Sequence, residues 1–236
     1  MKKAIAVIIL GLLWCNVVYA LPKCKGEDYS KWTNCVGTYT FDQSLKGDFN
    51  NDKGHKYTGE FGNDPGKRHG KGISVNKKGY KFEGIFKNDR IYRGTLTTPK
   101  IDIVYRGQFK NDKFHGYGTL LFNDLDIEYV GQFKDGKQHG KGREVDKKYK
   151  IIYVGDFKDG KYDGTGTIRF LDSKVKYVGQ WENHMWHGQG KLLSPKEKKK
   201  YVGEFKEGRR HGYGTMIQNW KVYKGIWEND KFIKAQ

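Results

Sequence analysis

Cysteine is nearly absent from this chain, and so is any catalytic signature. Of three cysteines in 236 residues, Cys15 lies in an N-terminal apolar stretch, which leaves Cys24 and Cys35. Ten residues separate them and no histidine lies nearby, so they lack the tight ligand spacing of a zinc site. There is no G-x-S-x-G elbow, no H-E-x-x-H and no Walker sequence, so the usual signals of a serine hydrolase, a metalloprotease or a P-loop nucleotide hydrolase are missing. No helical periodicity follows Ala20. Acidic residues are short as well, 27 against 45 Lys and Arg, which gives a formal charge of +18. Outside the cytoplasm that excess suits anionic lipid headgroups, acidic glycans or an acidic protein better than nucleic acid. It also serves simply to keep an exposed sheet soluble.

The N-terminus carries a leader. Lys2 and Lys3 precede an almost wholly apolar run from Ala4 to Val18, and Val18-Tyr19-Ala20 is a small-x-small cleavage site. Residues 1–20 therefore read as a helical secretory signal peptide, too short for a membrane span. Trp14 before Cys15 argues against a lipoprotein signal. The expected location is exported, periplasmic or secreted. There a Cys24–Cys35 disulfide would persist, and it would stabilise by about 3 kcal/mol.

What fills the rest is a repeat. The phrase Tyr-x-Gly-(Glu/Gln/Asp)-(Phe/Trp), a turn, then His-Gly-x-Gly begins at Tyr105, Tyr129, Tyr153, Tyr177 and Tyr201. Its first glycine falls at Gly59, Gly84, Gly107, Gly131, Gly155, Gly179, Gly203 and Gly225, in steps of 25, 23, 24, 24, 24, 24 and 22. A constant period of this size means a repeat array. Within a unit, Tyr177, Gly179 and Trp181 share one strand face by alternation, Glu182 to Met185 turn, and Gly188, Gly190 and Leu192 share a face on the way back. Asp-Gly in that turn slot (135–136, 159–160) marks a tight hairpin. Glycine weakens a strand, so its recurrence needs a reason. Rings of one strand lying over glycines of the next supply one. The expected fold is all-β: an elongated, twisted, single antiparallel sheet of tandem hairpins, about eight units over 46–236, the last one partial.

These units resemble MORN (membrane occupation and recognition nexus) repeats, as found in exported bacterial repeat proteins. The likeness spans about Tyr57 to Phe232. The first unit departs by an insertion at Asp64-Pro65-Gly66. The second has Phe82 for Tyr, and Tyr92-Arg93-Gly94-Thr95 where Gly-x-Gly belongs. Residues 21–45 read as a worn copy, a cap pinned by Cys24–Cys35. The resemblance implies scaffolding through a protein partner, or binding to phospholipid, and no catalysis.

Among candidate sites, His69, His115, His139, His187 and His211 share one repeat position. Equivalent positions in adjacent hairpins lie about 9.5 Å apart, too far for ligands of one metal ion, so a turn-closing role is expected. Gly-x-Gly followed by strand is no dinucleotide loop, and no cofactor is expected. The varying Gln132, Asp156, Gln180 and Glu204 make a poor general acid or base. Two surfaces remain. The rings Tyr129, Phe133, Tyr153, Phe157, Tyr177, Trp181, Trp186, Tyr201 and Phe205 form either a groove for a partner or packing on glycine alone. Lys134, Lys137, Lys158, Lys161, Lys206, Arg209 and Arg210 at the turns form either an anionic-surface contact or a solvated edge that discourages sheet aggregation.

Overall fold

The computed structural model describes residues 20–41, 54–100 and 102–236. Residues 1–19 of the expected signal peptide over 1–20, and the junction of cap and array at 45/46, lie outside these residues. Among the described residues there are seventeen strands and two single 3₁₀ turns, Tyr29–Lys31 and Asn123–Leu125. No helix among them is long and apolar enough to cross a membrane.

The strands are β1 (Cys35–Thr40), β2 (Lys56–Phe61), β3 (Arg68–Val75), β4 (Lys81–Lys87), β5 (Arg90–Thr98), β6 (Ile103–Lys110), β7 (Lys113–Phe122), β8 (Ile127–Lys134) and β9 (Lys137–Asp146). They continue as β10 (Ile151–Lys158), β11 (Lys161–Phe170), β12 (Val175–Glu182), β13 (Met185–Ser194), β14 (Lys199–Lys206), β15 (Arg209–Gln218), β16 (Lys221–Glu228) and β17 (Lys231–Ala235). Each pairs antiparallel with its sequence neighbours, from β1–β2 through β9–β10 to β16–β17. The result is one open sheet, on the order of 75 Å along the stacking direction at ~4.8 Å per strand. The last unit is more complete than its sequence suggests, because β17 pairs with β16 through Trp227 and Phe232.

Register is set by a row of glycines. Gly179 faces both Gly166 and Gly190, Gly203 faces Gly190 and Gly214, and the row extends back to Gly37 against Gly59. Tyr57, Tyr105, Tyr129, Tyr153, Tyr177 and Tyr201 each lie across their glycine pair. A Cβ on Gly190 would stand 2.5 Å from the Tyr177 ring, and one on Gly179 would stand 2.5 Å from its hydroxyl oxygen. The hydroxyl donates to the carbonyl three residues on, at 2.7 Å from Gln180 for Tyr177 and 2.8 Å from Gln132 for Tyr129. Tyrosines also meet the Phe or Trp of their own unit and of the next edge-on. Centroids are 5.0 Å apart for Tyr129–Phe133, 4.9 Å for Tyr129–Phe157, 5.2 Å for Tyr153–Trp181 and 5.1 Å for Tyr177–Phe205. A continuous line of rings is therefore the core, each such pair worth ~0.5–1.5 kcal/mol beyond its buried area.

Two-residue turns close the hairpins of the five clearest units. Both central residues have positive φ, as at Asn111 and Asp112 (51° and 59°) and Asp135 and Gly136 (50° and 89°), the geometry whose twist matches the strands. The second turn residue then donates its N–H to the preceding hairpin: Gly160 to the Gln138 carbonyl, His184 to Tyr162 and Gly208 to Trp186, each at 2.9 Å. Stacked turns tie one unit to the next.

At the N-terminus Cys24 and Cys35 form a disulfide. Here β1 occupies the second-strand place of a worn unit and Trp32 takes the place of tyrosine. Its ring would meet a Cβ on Gly37 at 2.6 Å, and it lies edge-on to Phe61 at 5.1 Å. The Asp64–Gly66 insertion reaches this cap, with Gly66 N–H on the Trp32 carbonyl at 2.9 Å and Asn34 N–H on the Gly62 carbonyl at 3.1 Å.

Candidate functional site

The ring face is closed. Tyr129, Tyr153 and Tyr177 are fully buried, and Phe133, Phe157, Trp181, Tyr201 and Phe205 are at most 5 % exposed. These eight rings are the core of the sheet and do not line an open groove. The physical reason is a lid. One slot on most second strands lays a flat group on the unit's tyrosine. Phe114 stacks on Tyr105 at 3.9 Å, Tyr162 on Tyr153 at 3.7 Å and Trp186 on Tyr177 at 4.7 Å. Arg68 and Arg210 fill the same slot over Tyr57 and Tyr201. Trp186, expected on the binding face, is thus half-buried and engaged. Burial pushes the hydroxyls of Tyr105 and Tyr201 up to about 12, and those of Tyr129, Tyr153 and Tyr177 higher still.

Arg210 also leaves the set of anionic-surface contacts. Its backbone N–H and Nε donate to Asp230 Oδ1 at 3.0 and 2.8 Å and its Nη2 donates to the Asp230 carbonyl at 2.9 Å, while its guanidinium lies 4.8 Å from the Trp227 ring centre. Arg68 repeats the arrangement on Asp89. Arg210→Ala should therefore cost about 2 kcal/mol in urea unfolding, in the range of charge-assisted bonds. The neighbouring Arg209→Ala should shift the midpoint by less than the error of the fit. Lys134, Lys137, Lys158, Lys161, Lys206 and Arg209 are exposed at the turns, with Lys161 Nζ donating to Asn183 Oδ1 at 3.1 Å.

The varying Gln/Asp/Glu position has a structural role that its changing charge concealed. Gln132 Oε1 accepts the Lys141 N–H at 2.9 Å, Asp156 Oδ2 accepts Thr165 at 2.8 Å, Gln180 Oε1 accepts Gln189 at 2.7 Å and Glu204 Oε1 accepts Tyr213 at 3.0 Å. Each bond spans a bulge glycine such as Gly140, Gly188 or Gly212, with φ between 55° and 60°. An oxygen is required there and a charge is not. For Asp156, burial raises the carboxyl pKa, but bonds from Lys141 and Thr165 outweigh it and hold the group below its ordinary value. The histidine carbonyls of His115, His187 and His211 accept tyrosine hydroxyls at 3.4 Å. Among the described residues no group of three metal-ligating side chains converges.

The opposite face is open. The x of Tyr-x-Gly points there, and register aligns Thr119, Val130, Arg143, Val154, Thr167, Val178, Lys191, Val202 and Thr215 in one row across successive strands. Val130, Val154, Val178 and Val202 are 39–50 % exposed. A trough of about 770 Å³ runs along the row, floored by Val130, Val154, Val178 and the glycine backbone and edged by Tyr117, Lys141, Arg143 and Gln189. A hollow of about 460 Å³ adjoins it, between Arg143, Ile152, Val154, Thr167 and Arg169. In the central units this face carries Arg106, Lys141, Arg143, Arg169, Lys176, Lys191 and Lys200 against Glu128, Asp156 and Glu204. Lys141 and Asp156 neutralise each other at 2.6 Å.

The sequence matches the MORN repeat family over residues 105–127, 129–149, 153–173, 177–197 and 201–219. This is a MORN repeat-containing protein. Comparison with curated proteins returned no match. The matched MORN units are the five with a two-residue turn and a tyrosine over the glycine pair. The first two units keep the register and the ring over the glycine pair, Tyr57 over Gly59 and Gly72 and Phe82 over Gly84 and Gly94, but the first carries an insertion in its turn and the second has one bulge residue fewer. Sequence reasoning missed the open face of the MORN array. The signal was present in the recurrence of Val at the x position of four successive units.

Proposed function

We propose that this MORN array is a non-catalytic binding scaffold of the cell envelope, exported by its leader, which holds a protein partner along its open face. A binding or scaffold role agrees with the family. The observation that supports the choice of face is the in-register row Val130, Val154, Val178 and Val202, exposed while Tyr129, Tyr153, Tyr177 and Tyr201 are buried. Successive valines lie about 9.5 Å apart with Arg143, Thr167 and Lys191 between them, and exposed apolar surface rimmed by polar residues marks a contact surface. A photo-crosslinking residue placed at Val154 in cells of the native host should give discrete protein-sized adducts, and the same residue at Lys158 should not. A clean Val154 lane would sink the reading.

A second reading is binding of anionic lipid headgroups by the turn edge, supported by the exposure of Lys134, Lys137, Lys158, Lys161, Lys206 and Arg209 along it. Acidic neighbours at each turn, Asp135, Asp159 and Glu207, weaken its field. It predicts salt-sensitive sedimentation with acidic but not neutral liposomes, and adducts from Lys158 instead of Val154.

A further inference from the structure

The open face is selective in charge as well as apolar. Arg143 on β9 pairs with Val154, and Arg169 on β11 pairs with Ile152, so the two arginines stand on either side of β10, with half-exposed Ile152 and exposed Val154 between them. Neither guanidinium has an ion pair or hydrogen bond among the described residues, and both side chains are exposed. Of the carboxylates that share the face, Asp156 holds Lys141 and Thr165 and Glu204 holds the Tyr213 N–H, while Glu128 stands on β8, on the far side of β9 from the hollow. Two strands of separation and an offset of two residues place the arginine backbones about 12 Å apart. An extended chain repeats its same-side side chains every ~6.6 Å, so residues i and i+4 lie about 13 Å apart.

We propose that the Arg143–Arg169 hollow is a recognition site for an extended acidic polypeptide segment, in which carboxylates at i and i+4 pair with the two guanidiniums and an apolar residue at i+2 rests on Ile152 and Val154. This rests on the open face being the docking face, and it names the chemistry of the partner there. Charge complementarity carries the choice of occupant: two unpaired cations flank an apolar floor with no free anion between them. Carboxylate–guanidinium pairs are the strong, geometrically selective contacts such a site can make.

The test uses the mature chain and two labelled peptides, Gly-Glu-Thr-Ile-Thr-Glu-Gly and Gly-Lys-Thr-Ile-Thr-Lys-Gly, in fluorescence anisotropy at low salt. The glutamate peptide should bind at least about tenfold tighter than the lysine peptide, and should weaken severalfold in about 0.5 M salt. The double variant Arg143→Glu with Arg169→Glu should lose about tenfold or more for the glutamate peptide, while Lys158→Glu with Lys161→Glu at the turn edge changes it by less than twofold. Unchanged circular dichroism and melting would show that the variants fold. Equal binding of the two peptides overturns the proposal, as does equal loss in both double variants. Phosphatidylglycerol vesicles that bind through Arg143 and Arg169 when the glutamate peptide does not would give the hollow to lipid and also overturn it. In each of these failures adducts at Val154 persist, whereas loss of those adducts strikes the docking-face reading itself.

Discussion

Gly190→Val should be among the most damaging single substitutions in the array, lowering stability by about 3 kcal/mol or more, at or beyond the upper end of overpacking costs. A Cβ there would fall 2.5 Å from ring atoms of Tyr177, and the added methyls need still more room. The ring cannot withdraw. Its hydroxyl is bonded to the Gln180 carbonyl, its far face carries Trp186, and its edges meet Trp181 and Phe205. Gly179→Val meets the same ring and the Gly190 backbone at 2.6 Å. Lys158→Ala, exposed beside a turn, should leave the urea midpoint within error. Equal shifts for Gly190→Val and Lys158→Ala would mean that the glycine row does not exist to make room for the rings.

Tyr177→Ala should cost about 3–5 kcal/mol, the range for emptying a buried aromatic site, and Tyr177→Phe only about 1 kcal/mol for the lost hydroxyl bond. The difference between the two follows from geometry. The ring packs on Trp181, Trp186 and Phe205 and fills the space over two glycines. The hydroxyl makes one short bond to the Gln180 carbonyl and a longer one to that of His187. The damage should also spread. Tyr177 joins Trp181 of its own unit to Phe205 of the next, and in a solenoid stability is a sum of unit and neighbour terms. Hydrogen exchange should show lost protection in β12–β15 before β2–β5. Uniform loss along the whole sheet would contradict that locality.

Much of this was legible in the sequence. The 24-residue step fixes hairpin after hairpin, Asp135-Gly136 and Asp159-Gly160 announce their turns, and alternation places Tyr, Gly and Phe/Trp on one face. Trp32 and Gly37 of the cap fit the same scheme once β1 is paired with β2. Which face stays open was not legible, because it depends on the lid slot. That slot holds Arg68, Ile91, Phe114, Gln138, Tyr162, Trp186, Arg210 and Phe232. As letters these have little in common, but most present a flat group to a tyrosine. Gln138 instead bonds Glu144 at 2.9 Å, which also accepts the Tyr162 hydroxyl. Arg209 and Arg210 show the same limit. They look like one basic pair, yet a single step of alternation sends Arg209 to solvent and Arg210 onto Trp227 and Asp230. The Gln/Asp/Glu acceptors were hidden for a related reason: a bond across a bulge selects for an oxygen, and three residue types supply one.

The assignment of the open face depends on the ring face being closed core in the free protein. Hydroxyl-radical footprinting of the purified protein, read by mass spectrometry at each tyrosine and tryptophan, tests this directly. Tyr117, Tyr149 and Trp220, which are 64, 66 and 92 % exposed, should oxidise rapidly, while Tyr129, Tyr153 and Tyr177 at 0 % should be protected without any partner present. Oxidation of the repeat tyrosines at the rate of Tyr117 would show an open ring groove and return the binding face to the aromatic side of the sheet.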